Sequence, residues 1–178
     1  MIVKFALAAL MVGSVAQAAS AGALFPDVAA RDMNGRNVVT REHRGQAVVY
    51  LVGFTHESRD EAKLWADALP RLTKQAAAGR ALRVIRMPVL SGAGVFARPF
   101  IESGVARRTP EAERPDVMMT TDRDKLVKGL KVDEPDREGL VALVDEGGMV
   151  RLVLRGGPTE AKEQEFAAAL EALGKSGS

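Results

Sequence analysis

The chain has 178 residues, 27% of them charged and 4% aromatic, with a formal net charge of +2 and no cysteine. So balanced a charge argues against non-specific nucleic-acid binding, which needs a concentrated basic face, and so few aromatics argue against a base-stacking platform. Without a thiol these residues build no disulfide, no thiolate metal site and no thiol–disulfide exchange.

Residues 1–21 read as a secretory signal. Lys4 supplies the positive start, and residues 5–15 are apolar but shorter than the ~20 residues of a membrane span. Ala16-Gln17-Ala18 suits cleavage, with Ala19-Ser20-Ala21 as a second choice. An uncleaved anchor is the alternative, opposed by Gln17 and Ser20, which close the apolar run early. A lipid anchor on a cleavage-site cysteine is excluded. The expectation is a periplasmic or secreted protein with one domain over residues 22–178 and no transmembrane segment once the signal is removed.

The next segments, 28–32 and 37–40, flank Met33-Asn34-Gly35-Arg36. Asn-Gly tolerates the two positive φ values of a type I′ turn, so a small hairpin is expected. Residues 46–54 are almost continuously apolar, as in a central strand covered on both faces. A helix follows. Ser58 with Glu61 has the spacing of a capping box. Ala62, Trp65, Leu69, Leu72 and Ala76 form one stripe, which makes Trp65 a core residue. Pro70 predicts a kink or break, and Gly79 a stop.

Residues 81–87 read as a strand interrupted by Arg83 and Arg86 and ended by Pro88. Residues 91–94 read as a loop, 95–106 as an irregular helix and 107–115 as a loop. A short strand over 116–120 and a short helix over 122–130, capped by Thr121, come next. Residues 140–144 and 149–154 flank the turn at Gly147-Gly148 as antiparallel strands. Thr159 caps a last helix, with Phe166, Ala169, Leu170 and Leu173 facing inward and Gly174 ending it. Strand–helix–strand followed by a closing strand–strand–helix predicts an α/β three-layer sandwich, a mixed sheet with helices on both faces and an N-terminal β-hairpin.

Residues 48–65, with the closing strand pair and helix, resemble the thioredoxin superfamily, in which this strand–turn–helix junction carries the reactive thiol. The order of Val52-Gly53-Phe54-Thr55 with Ser58 and Trp65, then Phe100-Ile101-Glu102-Ser103-Gly104-Val105-Ala106-Arg107, then Leu143-Val144-Asp145 leading to Gly147, is similar to the family of mitochondrial ATP synthase assembly factors and their bacterial relatives. Segment 91–107 also resembles part of some periplasmic thioredoxin-like proteins. The resemblance implies a thioredoxin-like fold and a role in assembling a membrane complex. Two departures matter. The thiols are absent, and so is the proline that thioredoxins place directly before the facing strand, where this chain has Arg137-Glu138-Gly139. A peroxiredoxin reading fails for want of a thiol.

Several residues could still carry chemistry. His56-Glu57-Ser58 suggests a hydrolase, but sequence neighbours do not form a nucleophile–base relay, and no catalytic residue is assigned. His43 and His56 are the only histidines and read as surface residues, so no metal site and no cofactor is expected. Parallel-sheet folds place sites at the carboxyl ends of strands, which selects the loop of Thr55, His56, Glu57 and Arg59 with Gly139 and Gly94 at its rim. Arg98, Arg107 and Arg108 add an arginine cluster with Arg114, interleaved with Glu102, Glu111 and Glu113. The leading expectation is a redox-inactive protein-binding or assembly module using these residues toward a protein partner, with a membrane respiratory complex as the candidate. The alternative is a periplasmic small-anion or metal-binding protein using the same loop and the arginine cluster.

Overall fold

The computed structural model describes residues 22–76, 82–90 and 98–175. The signal, the helix stop at Gly79, loop 91–94 with Gly94, residues 95–97 and residues 176–178 lie outside the described residues, as do the side chains of Ala76 and Arg98.

Chain order is β1 (Ala29–Asp32), β2 (Asn37–Val39), a 3-10 turn (Thr40–His43), β3 (Ala47–Gly53), α1 (His56–Ala76), β4 (Leu82–Pro88), α2 (Arg98–Arg108), a second 3-10 turn (Glu111–Asp116), β5 (Met118–Thr120), α3 (Arg123–Gly129), β6 (Leu140–Val144), β7 (Val150–Arg155) and α4 (Glu160–Lys175). The main sheet has the order β4-β3-β6-β7, and a second has the order β2-β1-β5. β3 runs parallel to β4 and antiparallel to β6, with Tyr50 opposite Ala142.

All seven residues of β3 are buried, which is why the run carries no polar alternation. Successive side chains point to opposite faces. Ala47, Val49 and Leu51 pack with Trp65, Leu69 and Leu72 of α1 and with Phe166, Leu170 and Leu173 of α4. Val48, Tyr50 and Val52 pack on the other face with Phe25, Val28, Ala30 and Val38 of the N-terminal segment and hairpin, and with Leu126 and Leu130 at α3. Helices thus cover both faces, and the hairpin completes the second layer. A smaller cluster joins α2 to β5 through Ile101, Val105, Val117 and Met119.

Several local expectations change. In the hairpin only Gly35 takes a positive φ, +84°, so the turn is not type I′. The Asp32 carboxylate instead accepts from the backbone N–H groups of Asn34 and Arg36, at 2.9 and 2.8 Å, and holds the loop. α1 runs unbroken through Pro70. The expected loop over 107–115 is the end of α2 followed by a 3-10 turn. Arg83 and Arg86, which break the apolar pattern of β4, reach Asp116 and Glu113 of that turn. No side chain caps α3, so Thr121 is not its cap; Asp122 occupies that position. α4 continues through Gly174 to Lys175.

His43 corrects the surface reading. It is 4% exposed, because the 3-10 turn folds it against β3. Its Nδ1 lies 2.7 Å from the Tyr50 hydroxyl, whose ring stacks on Phe25 at 4.1 Å between centroids. Among the described residues its Nε2 has no hydrogen-bond partner. Burial, followed by the nearby Arg83 and Arg36 charges, lowers its pKa from 6.5, with Glu42 and Asp116 opposing. The unfolded chain therefore takes up the His43 proton first as pH falls. Stability should be unaffected by this group above pH 6.5 and decrease as pH drops below it, down to the folded-state pKa. Thermal melts of the native chain and His43→Asn between pH 8 and 5 check this. The variant keeps a polar group facing Tyr50 and should lose this part of the pH dependence.

Candidate functional site

At the carboxyl end of β3 the chain turns through Phe54 and Thr55 into α1. Thr55, not Ser58, is the residue before the helix, and its Oγ1 accepts from the Ser58 N–H at 3.2 Å. Ser58 reciprocates: its Oγ accepts from the N–H groups of Phe54 and Thr55 at 2.7 and 2.8 Å. This is a capping box shifted back by one turn, with serine in the glutamate position. Ser58 is fully buried. Its hydroxyl is committed to these bonds, and neither histidine is among its hydrogen-bond partners. Its role at this turn is structural.

Glu61, predicted to complete the cap, turns instead to the loop before β6 and accepts from the Gly139 N–H at 2.7 Å. A Cβ on Gly139 would stand 2.4 Å from the Ser58 carbonyl oxygen, so only glycine lets this loop close on the first turn of α1. Gly139 is thus buried beneath the expected site and not on its rim. The Gly139 carbonyl accepts from Gly156 N at 2.8 Å, and Trp65 Nε1 donates to the Gly156 carbonyl at 2.9 Å. Trp65 is a core residue, as its stripe position requires.

The remaining loop side chains face outward. His56 is exposed and contacts Asp60 at 3.3 Å. Glu57 is exposed, and its pKa is lowered chiefly by its own backbone N–H and then by the Thr55 hydroxyl. A carboxylate of this chain therefore already serves the positive end of α1, which disfavours a second anion there. Arg59 lies across Gly53, where a Cβ would stand 2.4 Å from the arginine Cγ.

On this side, a groove of about 400 Å³ runs between α1 and α2. His56, Arg59, Asp60, Ala62 and Lys63 form its α1 wall, Ile101 and Val105 belong to its α2 wall, and Met87 and Met119 belong to its floor. Sequence reasoning found His56 and Arg59 but missed the apolar wall, since a tertiary contact sets α2 beside α1. Arg107, Arg108 and Arg114 of the arginine cluster are not part of the groove lining. Arg107 turns back to the Ser103 carbonyl, Arg114 bonds the Thr109 carbonyl, and Arg108 is exposed. The interleaved acids pair elsewhere, Glu102 with Arg31 and Glu113 with Arg86. Among the described residues no three metal-ligating side chains gather.

This arrangement of sheet and helices is similar to that of several solved structures. A protein of Aquifex aeolicus VF5 assigned to electron transfer matches with a TM-score of 0.63 and 16% identity, over 86% of this chain and 98% of that one. The fold is thioredoxin-like. BsSco, a member of the Sco family of cytochrome c oxidase assembly proteins, matches with a TM-score of 0.61 and 12% identity, over 86% and 95%. The pneumococcal exposed lipoprotein thioredoxin of Streptococcus pneumoniae matches with a TM-score of 0.51 and 14% identity, over 82% and 98%. No protein-family model and no curated protein matches the sequence. Among the described residues, no helix is long and apolar enough to cross a membrane.

Two substitutions test the junction. Ser58→Ala leaves the N–H groups of Phe54 and Thr55 unpaired and should lower unfolding stability by roughly 1–3 kcal/mol in urea melts. Gly139→Ala forces the loop off α1 and should cost about 1–3 kcal/mol.

Proposed function

We propose that this chain is an exported thioredoxin-like domain without thiol chemistry, acting as a protein-binding or assembly module. The observation that carries this reading is the junction itself. Where the resemblance places a reactive thiol, this chain has a sealed Thr55–Ser58 knot, and no cysteine occurs anywhere in it. A scaffold that keeps the fold without the nucleophile works through shape and contact. The side chains of His56, Glu57 and Arg59 beside the α1–α2 groove are the surface offered to a partner, and no catalytic residue or cofactor is part of the proposal.

Assembly of a membrane respiratory complex is the specific role proposed. Its supports are the order of residues 52–65, 100–107 and 143–147, read from the sequence as a resemblance to ATP synthase assembly factors, and the structural likeness to BsSco, itself a member of a cytochrome c oxidase assembly family. The pattern of residues 1–21 supports a periplasmic or secreted location. The anion-binding alternative gains nothing from the geometry, because Glu57 occupies the helix start and Arg107 and Arg108 are not part of the groove lining.

Photo-crosslinking in the native host from positions 56 and 59, with position 165 on α4 as a control, tests the reading. A discrete protein adduct from the first two positions alone, identified as a subunit or maturation factor of a respiratory complex, is the expected result. Turnover of a small substrate by the purified chain, with no adduct, would refute it.

A further inference from the structure

The α1–α2 groove carries a more specific inference, which rests on the protein-binding reading and names the chemistry of the partner. Its two walls differ. On the α1 wall, His56, Arg59 and Lys63 recur at three- and four-residue spacing and so share one helical face, with Asp60 the acid among them. His56 is engaged with Asp60, and Arg86 at the groove with Glu113. Neither Arg59 nor Lys63 closes an ion pair among the described residues, although the Arg59 charge acts on the exposed Glu57 carboxylate. Arg59 and Lys63 stand one turn apart, a spacing of about 5–6 Å between Cβ atoms. The α2 wall is apolar, with Ile101 and Val105, also one turn apart, above Val117, Met87 and Met119.

We infer that the groove receives an extended segment of a partner protein in which carboxylates alternate with apolar residues. In an extended chain, side chains two residues apart point the same way and lie about 6.6–7 Å apart. A strand laid between the helices would turn one set toward Arg59 and Lys63 and the other toward Ile101 and Val105. Charge complementarity selects acids for the first set, and the cost of burying a charge without a partner selects apolar residues for the second. Two cations spaced along one wall match two carboxylates on a chain better than a single anionic headgroup. The methionines in the floor adapt to apolar side chains of different shape.

Panning the full-length chain with a phage-displayed library of random heptamers tests this. Enrichment should give acidic and apolar residues at alternate positions. A synthetic peptide of the enriched sequence should bind at least tenfold more weakly to Lys63→Glu, recover with Lys63→Arg, and weaken as sodium chloride rises from 50 to 500 mM. Lys63 is exposed, so these variants should melt as the native chain does, which a thermal scan verifies. Enrichment of basic or uncharged sequences, no enrichment, or binding indifferent to Lys63 overturns the inference. Lys63-dependent sedimentation with phosphatidylglycerol vesicles, without peptide enrichment, also overturns it and gives the groove to a lipid surface. A protein adduct from position 56 with no acidic–apolar consensus would leave the binding role standing and remove only this inference. A consensus without any adduct would leave the groove chemistry standing and remove only the role at a respiratory complex.

Discussion

The two-sided burial of β3 is the constraint on which the rest of the structure depends. Seven consecutive residues lose contact with water, and each fully buried Val or Leu contributes about 1.5–3 kcal/mol relative to exposure. Such a strand needs a helical layer on one face and a second layer on the other. α1 and α4 supply the first, and α3 with the N-terminal hairpin supplies the second. Because β3 is fixed on all sides, its carboxyl end delivers Phe54 and Thr55 to one place, and the start of α1 is set by that delivery.

The junction shows how a thioredoxin-like scaffold is closed without sulfur. Two hydroxyls, Thr55 and Ser58, take up three backbone N–H groups at the turn into α1. Glu61 then holds the loop before β6, and Gly139 allows that loop to touch the helix. Each group here has a bonding role that stabilises the turn and leaves no reactive atom at its centre. The side chains left open at this end of the sheet are those on the exposed face of α1 and in the groove that α2 completes.

Much of the fold was legible because its signals are local and strong. The apolar run of β3, the stripe from Ala62 to Leu72, and the strand pair β6–β7 each follow from the period of their side chains. Several of the errors share one cause, competition for a side chain by a distant partner. Ser58 and Glu61 have capping-box spacing, but Gly139, far along the chain, claims Glu61. His43 lies in a polar stretch, yet the turn after β2 folds it onto Tyr50. Arg83 and Arg86 look like interruptions of a strand until the 3-10 turn beside β4 supplies their carboxylates.

By itself the sequence determined that this chain performs no thiol chemistry, and that a two-faced strand followed by an amphipathic helix organises its core. Composition and periodicity suffice for those conclusions, since they depend on which atoms exist and on how often apolar side chains recur. Only the tertiary structure decided which hydroxyl caps α1, that His43 is buried, and that an apolar wall of α2 faces Arg59 and Lys63 across a groove. The physical reason is that hydrogen bonds and burial are settled between groups far apart in the chain. No local pattern records which of several competing partners will arrive.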